Sequence, residues 1–222
     1  MKQIVITIHG IHTAALKSWQ PRMWTYIKER DPSIKVFTYK YGYLLAPVSW
    51  YIIFTGALKF PLFYWKLVVG NFAAYIEKIQ KKFPEYEISI LAHSFGTWIA
   101  YNAIGRKESI KIRNLVLVSA VISSHVEKLD LLNWMETGKI NTVHSWSSHS
   151  DAVVCKCAIP PFGKLGYRGF IRYGEEEDKI APQDKPYPAE IYNHHTDEGH
   201  SGVLAKLAVY GKQLFIQLTK SN

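Results

Sequence analysis

Short unbroken apolar runs alternate along this chain with longer stretches in which apolar residues return every three or four positions. The first run is Gln3–Ile8 (QIVITI), β-branched and five-sixths apolar or small, as a strand buried on both faces requires. Similar runs recur at Ile34–Tyr39 (IKVFTY), Glu87–Ala92, Asn114–Ala120 (NLVLVSA), Ile140–Trp146 (INTVHSW) and, shorter, Glu190–Asn193. Helical spacing marks the segments between them. Leu16–Arg30 is the first, with Pro21 and Asp31-Pro32 as local limits. In Trp65–Phe83, Val68, Phe72, Tyr75, Ile76, Ile79 and Phe83 share one face, and Pro84 closes the helix. The stretch after Ser94 (TWIAYNAI) reads as a helix ending near Gly105, and Val126–Glu136 as another. Ser201–Leu218 ends the pattern as one amphipathic helix, with Val203, Leu204, Leu207, Tyr210, Leu214 and Leu218 on one face. Residues 156–188, rich in Gly and Pro, read as irregular.

Strands alternating with helices predict an α/β fold of three layers: a mostly parallel sheet of about six strands with helices on both faces. There is no internal repeat and no linker-like composition, so residues 1–222 are expected to form a single domain.

One segment departs from the alternation. YGYLLAPVSWYIIFTGAL, residues 41–58, carries no formal charge and runs on into KFPLFYWKLVV. Its length touches that of a membrane span. A span here would put the first two strands on one side of a bilayer and the remainder on the other, where they could not share a sheet. Pro47, Gly56 and Pro61 also interrupt it. The preferred reading is an apolar insertion or lid around 44–64; a buried insertion comes second and a true span third. Its Trp and Tyr residues, with Lys40, Lys59 and Lys66 beside it, suit peripheral contact with a membrane surface.

Charge changes the picture only a little. The formal net charge is +9, but the basic residues are scattered and form no long run or zinc-finger spacing, so no specific nucleic-acid partner is expected. Cys155 and Cys157 are the only cysteines. On a strand they would point the same way, yet a C-x-C disulfide is strained and two thiols make no metal site. Half-buried or buried free thiols in a reducing compartment are expected. Only a few apolar residues follow Lys2, fewer than the core of a secretory leader needs, so a cytoplasmic location is expected, peripheral to a membrane if 44–64 touches one.

The candidate chemistry begins at residues 90–98, ILAHSFGTW. A serine on a sharp strand-to-helix turn projects its hydroxyl outward at the carboxyl edge of a sheet. Positions two before and two after must be small because strand and helix pass closely there; Ala92 adds one methyl and Gly96 none. The plain alternative is a serine capping a helix. IHGIHT follows the first strand at once and opens a Gly-containing loop at the edge that a parallel sheet shares with Ser94. The N–H of Ile11 or His12 there, with that of Phe95, could face an oxyanion.

Taken together, IVITIHGIH, LAHSFG, an acid after a later strand and a histidine near the end resemble the α/β-hydrolase family, whose chain order is Ser…Asp…His. The resemblance spans nearly the whole chain. Three departures accompany it: Ala92 replaces the first glycine, the sheet lacks the family's first two strands, and the insertion precedes the nucleophile where many family caps follow it. The resemblance implies that Asp151, in SSHSDAVV after the fifth strand, is the triad acid. Asp130, inside EKLDLLNW, is the rival. It implies that His200, in DEGHSGVL, is the base, ahead of His195 and His194; His93 packs within the turn or lines the pocket, and His9, His12, His144 and His149 lie near other strand ends. Ile11 and Phe95 then supply the oxyanion hole.

The expected activity is a serine hydrolase that cleaves carboxylic esters, lipid or acyl esters included, through Ser94, Asp151 and His200, with no metal and no organic cofactor. Two alternatives belong to other classes: a non-catalytic binding protein on the same fold, and a membrane-associated acyltransferase or thioesterase.

Overall fold

The structure, a computed structural model, describes residues 1–10, 19–41, 59–156, 162–171 and 190–220. Its centre is a six-stranded sheet, every pair of neighbours parallel, in the order β2-β1-β3-β4-β5-β6. The strands are β1 (Lys2–Ile8), β2 (Lys35–Tyr39), β3 (Tyr86–His93), β4 (Ile112–Val118), β5 (Ile140–Ser147) and β6 (Ile191–His195). Parallel pairing puts every strand's carboxyl end at one edge, so His9, Ser94, Ser119 and the loop after β5 are gathered there although they lie far apart in the chain.

Alternation along each strand divides the apolar residues between two cores. Ile4, Ile6, Ile8, Ile88, Ile90, Ala92, Leu115 and Leu117 face one layer, which contains helices α2 (Lys59–Lys82) and α3 (Phe95–Arg106). Val5, Leu91, Val116, Val118 and Trp146 face the other, formed by α1 (Trp19–Arg30) and α8 (Leu207–Thr219). The three-layer arrangement expected from the alternating pattern is therefore present.

The helices show where pattern alone misplaces a boundary. Pro21 sits in the first turn of α1, where no intrahelical partner is lost, and so does not limit the helix. The same reason admits Pro61 to the first turn of α2, which starts at Lys59 and not at Trp65. The stretch expected to be one helix over Val126–Glu136 is a 3-10 turn, Val126–Lys128, and a separate helix α4, Leu131–Glu136, parted by extended backbone at Leu129. The terminal helix is likewise two: α7 (Gly202–Ala205) and α8, broken at Lys206. Within the irregular region lies a short helix α6 (Leu165–Arg168). A further short helix, α5 (Ala152–Cys155), follows β5, so Cys155 is on a helix and not a strand; it is a half-buried free thiol. Cys157 lies outside the described residues, as do Ile11, His12 and residues 42–58 of the apolar segment. Residues 59–64 of that segment are the start of α2. Among the described residues, no helix is long and apolar enough to cross a membrane.

Candidate active site

Ser94 is the hinge between β3 and α3. Its backbone is held at φ 55° and ψ −129°, a conformation that costs a non-glycine residue about 1–3 kcal/mol. The fold holds it there from both sides: Ser94 N–H donates to Val118 O at 3.0 Å, and Ser94 O accepts from Thr97 N–H at 2.9 Å and from Thr97 Oγ1 at 2.6 Å. The side chain makes no capping hydrogen bond to α3, which removes the plain N-cap reading.

Ala92 proves compatible with this turn. It is a fully buried residue of β3, paired with Ile8, and among the described residues Ser94, Ser119 and Glu190 are the non-glycine positions with positive φ. Ala92 thus needs no glycine backbone. Gly96 does need to be small. A Cβ there would lie 2.6 Å from His9 O and 2.9 Å from Ile8 O, both backbone atoms of β1's end. Gly96→Ala is expected to destabilise the protein by about 1–3 kcal/mol through overpacking, read as a lowered thermal midpoint. An unchanged midpoint would show that α3 and β1 are not in this close contact. Gly10 meets Ser94 in the same way: a Cβ there would be 2.7 Å from Ser94 Cβ and 3.0 Å from Ser94 Oγ.

The other two residues singled out with Ser94 arrive from distant loops. His200, in the turn between β6 and α7, places Nε2 at 2.9 Å from Ser94 Oγ. Its Nδ1 lies 2.9 Å from Asp151 Oδ2 and 3.1 Å from Asp151 Oδ1. Asp151 is fully buried and also caps α5, its Oδ1 accepting from Val153 N–H at 3.1 Å and Val154 N–H at 2.9 Å. Burial opposes ionisation of this carboxyl. The hydrogen bond and charge of His200, with the hydrogen bonds of Val154 and Ser119, outweigh it and hold the carboxyl below the usual aspartate range. An ionised Asp151 accepts a hydrogen bond from Nδ1–H, which leaves Nε2 as the acceptor facing the Ser94 hydroxyl. The arrangement can therefore draw a proton from the serine.

The rivals are elsewhere. Asp130 is exposed ahead of α4 and bonds Tyr101 Oη at 3.4 Å. His195 pairs Nδ1 with Ser147 Oγ at 2.8 Å, and His194 packs between His144 and Trp146. His149 lies against Tyr167. His9 stacks on Tyr41 at 4.6 Å, and burial, ahead of the charge of Lys40, lowers its pKa despite a backbone hydrogen bond to Gly10. Phe95 is the first residue of α3, so its N–H sits at the positive end of the helix dipole. Its ring belongs to an aromatic group with Tyr41, Trp98 and Phe162, at centroid distances of 6.2, 5.6 and 5.9 Å. Among the described residues no group of three metal-ligating side chains converges.

Sequence reasoning missed Ser119. It follows β4, has φ 50°, and sets Oγ 2.7 Å from the backbone oxygen of His200. Its position after a parallel strand, at the edge already carrying Ser94, was the available signal.

Residues 64–157 match a hydrolase family described as serine aminopeptidase, S33. No curated protein matches the chain. The match covers less than half of the chain; with the parallel sheet and the strand–Ser94–helix turn it supports an α/β-hydrolase-like fold and, as the class, a hydrolase. The match begins within α2 and ends after α5, so it includes Ser94 and Asp151 and stops short of His200.

Proposed function

We propose that this hydrolase cleaves carboxylic esters through a covalent acyl-enzyme on Ser94. The observation that carries the reading is the relay of contacts at His200, 2.9 Å from Ser94 Oγ on one side and 2.9 Å from Asp151 Oδ2 on the other. Ser94 Oγ attacks the ester carbonyl carbon as His200 Nε2 takes its proton. Asp151 holds the imidazole tautomer and balances the imidazolium charge. The N–H of Phe95, with that of Ile11, receives the oxyanion. Collapse breaks the bond to the alcohol oxygen, which leaves with the proton from Nε2. Water then attacks the acyl-enzyme, giving its proton to Nε2, and the acid departs as Ser94 is reprotonated.

The aromatic group at Tyr41, Phe95, Trp98 and Phe162, next to the nucleophile turn, supports an apolar acyl or alcohol part in the substrate. A lipid ester met at a membrane surface through residues 44–64 is the extension of that reading. The description of the matching family gives a second reading, an amide bond next to a free amino terminus, which the same groups could attack.

A fluorophosphonate probe is expected to add to Ser94, seen as the adduct mass on the peptide containing it. An unmodified Ser94 would remove it as nucleophile and favour a binding protein on this fold. Parallel assays with p-nitrophenyl esters of increasing chain length and with aminoacyl p-nitroanilides separate the two readings: turnover confined to the anilides would overturn the ester assignment.

A further inference from the structure

The residue before the nucleophile has a second contact with the site that the acyl-transfer scheme does not use. His93 is 2% exposed, wedged edge-on against Trp19 at 6.3 Å and beside the His200 ring at 5.0 Å. Its Nε2 lies 2.9 Å from the backbone oxygen of His200. A carbonyl only accepts, so Nε2 carries the proton and Nδ1 is a bare acceptor. Among the described residues Nδ1 has no hydrogen-bond partner. The His200 carbonyl also accepts from Ser119 Oγ at 2.7 Å.

We propose that His93, together with Ser119, is a positioning residue that fixes the loop bearing the general base by gripping the backbone carbonyl of His200. The inference rests on the ester-hydrolase reading and deepens it. An imidazole is a poor choice for packing alone at this place. Burying an unsatisfied ring nitrogen is destabilising, and an apolar side chain would avoid that cost. Nε2 also has Ser201 Oγ at 3.5 Å, and its shorter contact, 2.9 Å to the His200 carbonyl, is the feature that distinguishes His93 from a filler.

The need for such a grip follows from the chemistry. The side-chain bonds of His200 change during turnover: the contact to Ser94 is lost when Nε2 takes the proton, and Nε2 must then reach a leaving group. The backbone grip stays unchanged through these steps. Ser119 Oγ has one proton and lies within reach of Asp151 as well, so it steadies either the base or the carboxylate that orients it. Burial foremost, and then the neighbouring His200, push the His93 pKa down to about 3, so His93 stays neutral and adds no positive charge beside the imidazolium.

The test compares His93→Gln, whose amide N–H can reach the same carbonyl, with His93→Leu, which fills the space without a donor. Ester turnover, fluorophosphonate labelling rate and thermal midpoint are measured on each. His93→Leu is expected to lower kcat by about tenfold to a hundredfold with little change in KM, because a displacement of the base near 1 Å has effects of that order. His93→Gln is expected to recover most of kcat even though a buried amide is the less stable choice. A packing role predicts the reverse order, and kcat for His93→Leu equal to or above that of His93→Gln overturns the inference alone. A wild type that the probe does not label overturns the hydrolase reading and this inference with it. Should His93→Leu not fold, Ser119→Ala reads the same grip: a fall of about tenfold in kcat supports it, and unchanged kcat and labelling overturn it.

Discussion

Ser94→Ala is expected to lower ester turnover on the order of a millionfold, and Asp151→Asn about ten thousandfold, with the fold kept in both. The first change deletes the attacking oxygen and leaves binding and oxyanion stabilisation. The second is the sharper test, because Asp151 has two duties that asparagine separates. Its Oδ1 caps α5 through Val153 and Val154, and an amide oxygen can still accept both bonds. The amide nitrogen then faces His200 Nδ1, where Asp151 Oδ2 stood at 2.9 Å. A donor at that place requires Nδ1 to accept, so the proton moves to Nε2, and Nε2 can no longer take the Ser94 proton. Stability should stay near that of the wild type while kcat collapses. Asp151→Ala removes the cap too and should lose stability by about 1 kcal/mol beyond its loss of turnover. Steady-state kinetics and thermal unfolding on the three variants give the comparison. An Asp151→Asn enzyme within tenfold of wild type would show that this carboxylate does not orient the base.

The same residues show what a sequence can disclose. Strand–Ser94–helix was legible because local composition determines it: β-branched residues, then a small-residue turn, then helical spacing. Asp151 was named through the resemblance to the α/β-hydrolases, which implies an acid after a late strand, at the edge where parallel topology brings strand ends together. His200 was legible in the same way, in the last loop before the final helix. Ile11, expected as an oxyanion partner from its place in the loop after β1, lies outside the described residues. The contact of His93 with the His200 carbonyl left no trace in any pattern, since it joins positions 107 residues apart. Ser119 was hidden for the same reason: one serine at a strand end is ordinary until its neighbours in space are known.

The errors of boundary have a common physical origin. Leu129 and Lys206 each interrupt what reads as one helix, and neither is Gly or Pro. The helical spacing of apolar residues continues across both breaks although the backbone turns, so the pattern does not mark them. Conversely, Pro21 and Pro61 look like breaks and are not, because each falls in a first turn. Apolar spacing reports which face is buried. It does not report whether the segment stays in one piece.

Acid is expected to destabilise this protein well above the range where carboxylates titrate, because buried histidines, His93 and His144 foremost, resist protonation. His93 has its pKa pushed to about 3 by burial and then by His200, and His144 to about 3 by burial and then by His194. Both would take a proton near 6.5 in the unfolded chain. Above that value each is neutral in both states and the pH has no effect through them. Below it the unfolded chain binds more protons, so stability falls as pH drops from 6.5 towards 3, by up to about 1.4 kcal/mol per pH unit for each. The structure also shows why His144 resists protonation. Trp146 Nε1–H donates to Gln217 Oε1 at 2.9 Å, so Gln217 turns its amide N–H to His194 Nε2 at 3.0 Å and makes that nitrogen an acceptor. His144 Nδ1 lies 3.1 Å from the same nitrogen, inside a stack with Tyr192 at 4.9 Å. Burial is the larger cause of the low His144 pKa, and the neighbouring His194 adds to it. Asp151 also loses its contribution in acid, but only as pH falls below its unfolded value near 3.8. Between pH 6.5 and about 4 the histidines therefore dominate. Urea unfolding at pH 7, 6 and 5 is expected to show a falling midpoint, and His144→Phe, which cannot titrate, a shallower fall. A midpoint that is flat over this range would mean that neither imidazole is held neutral by the fold.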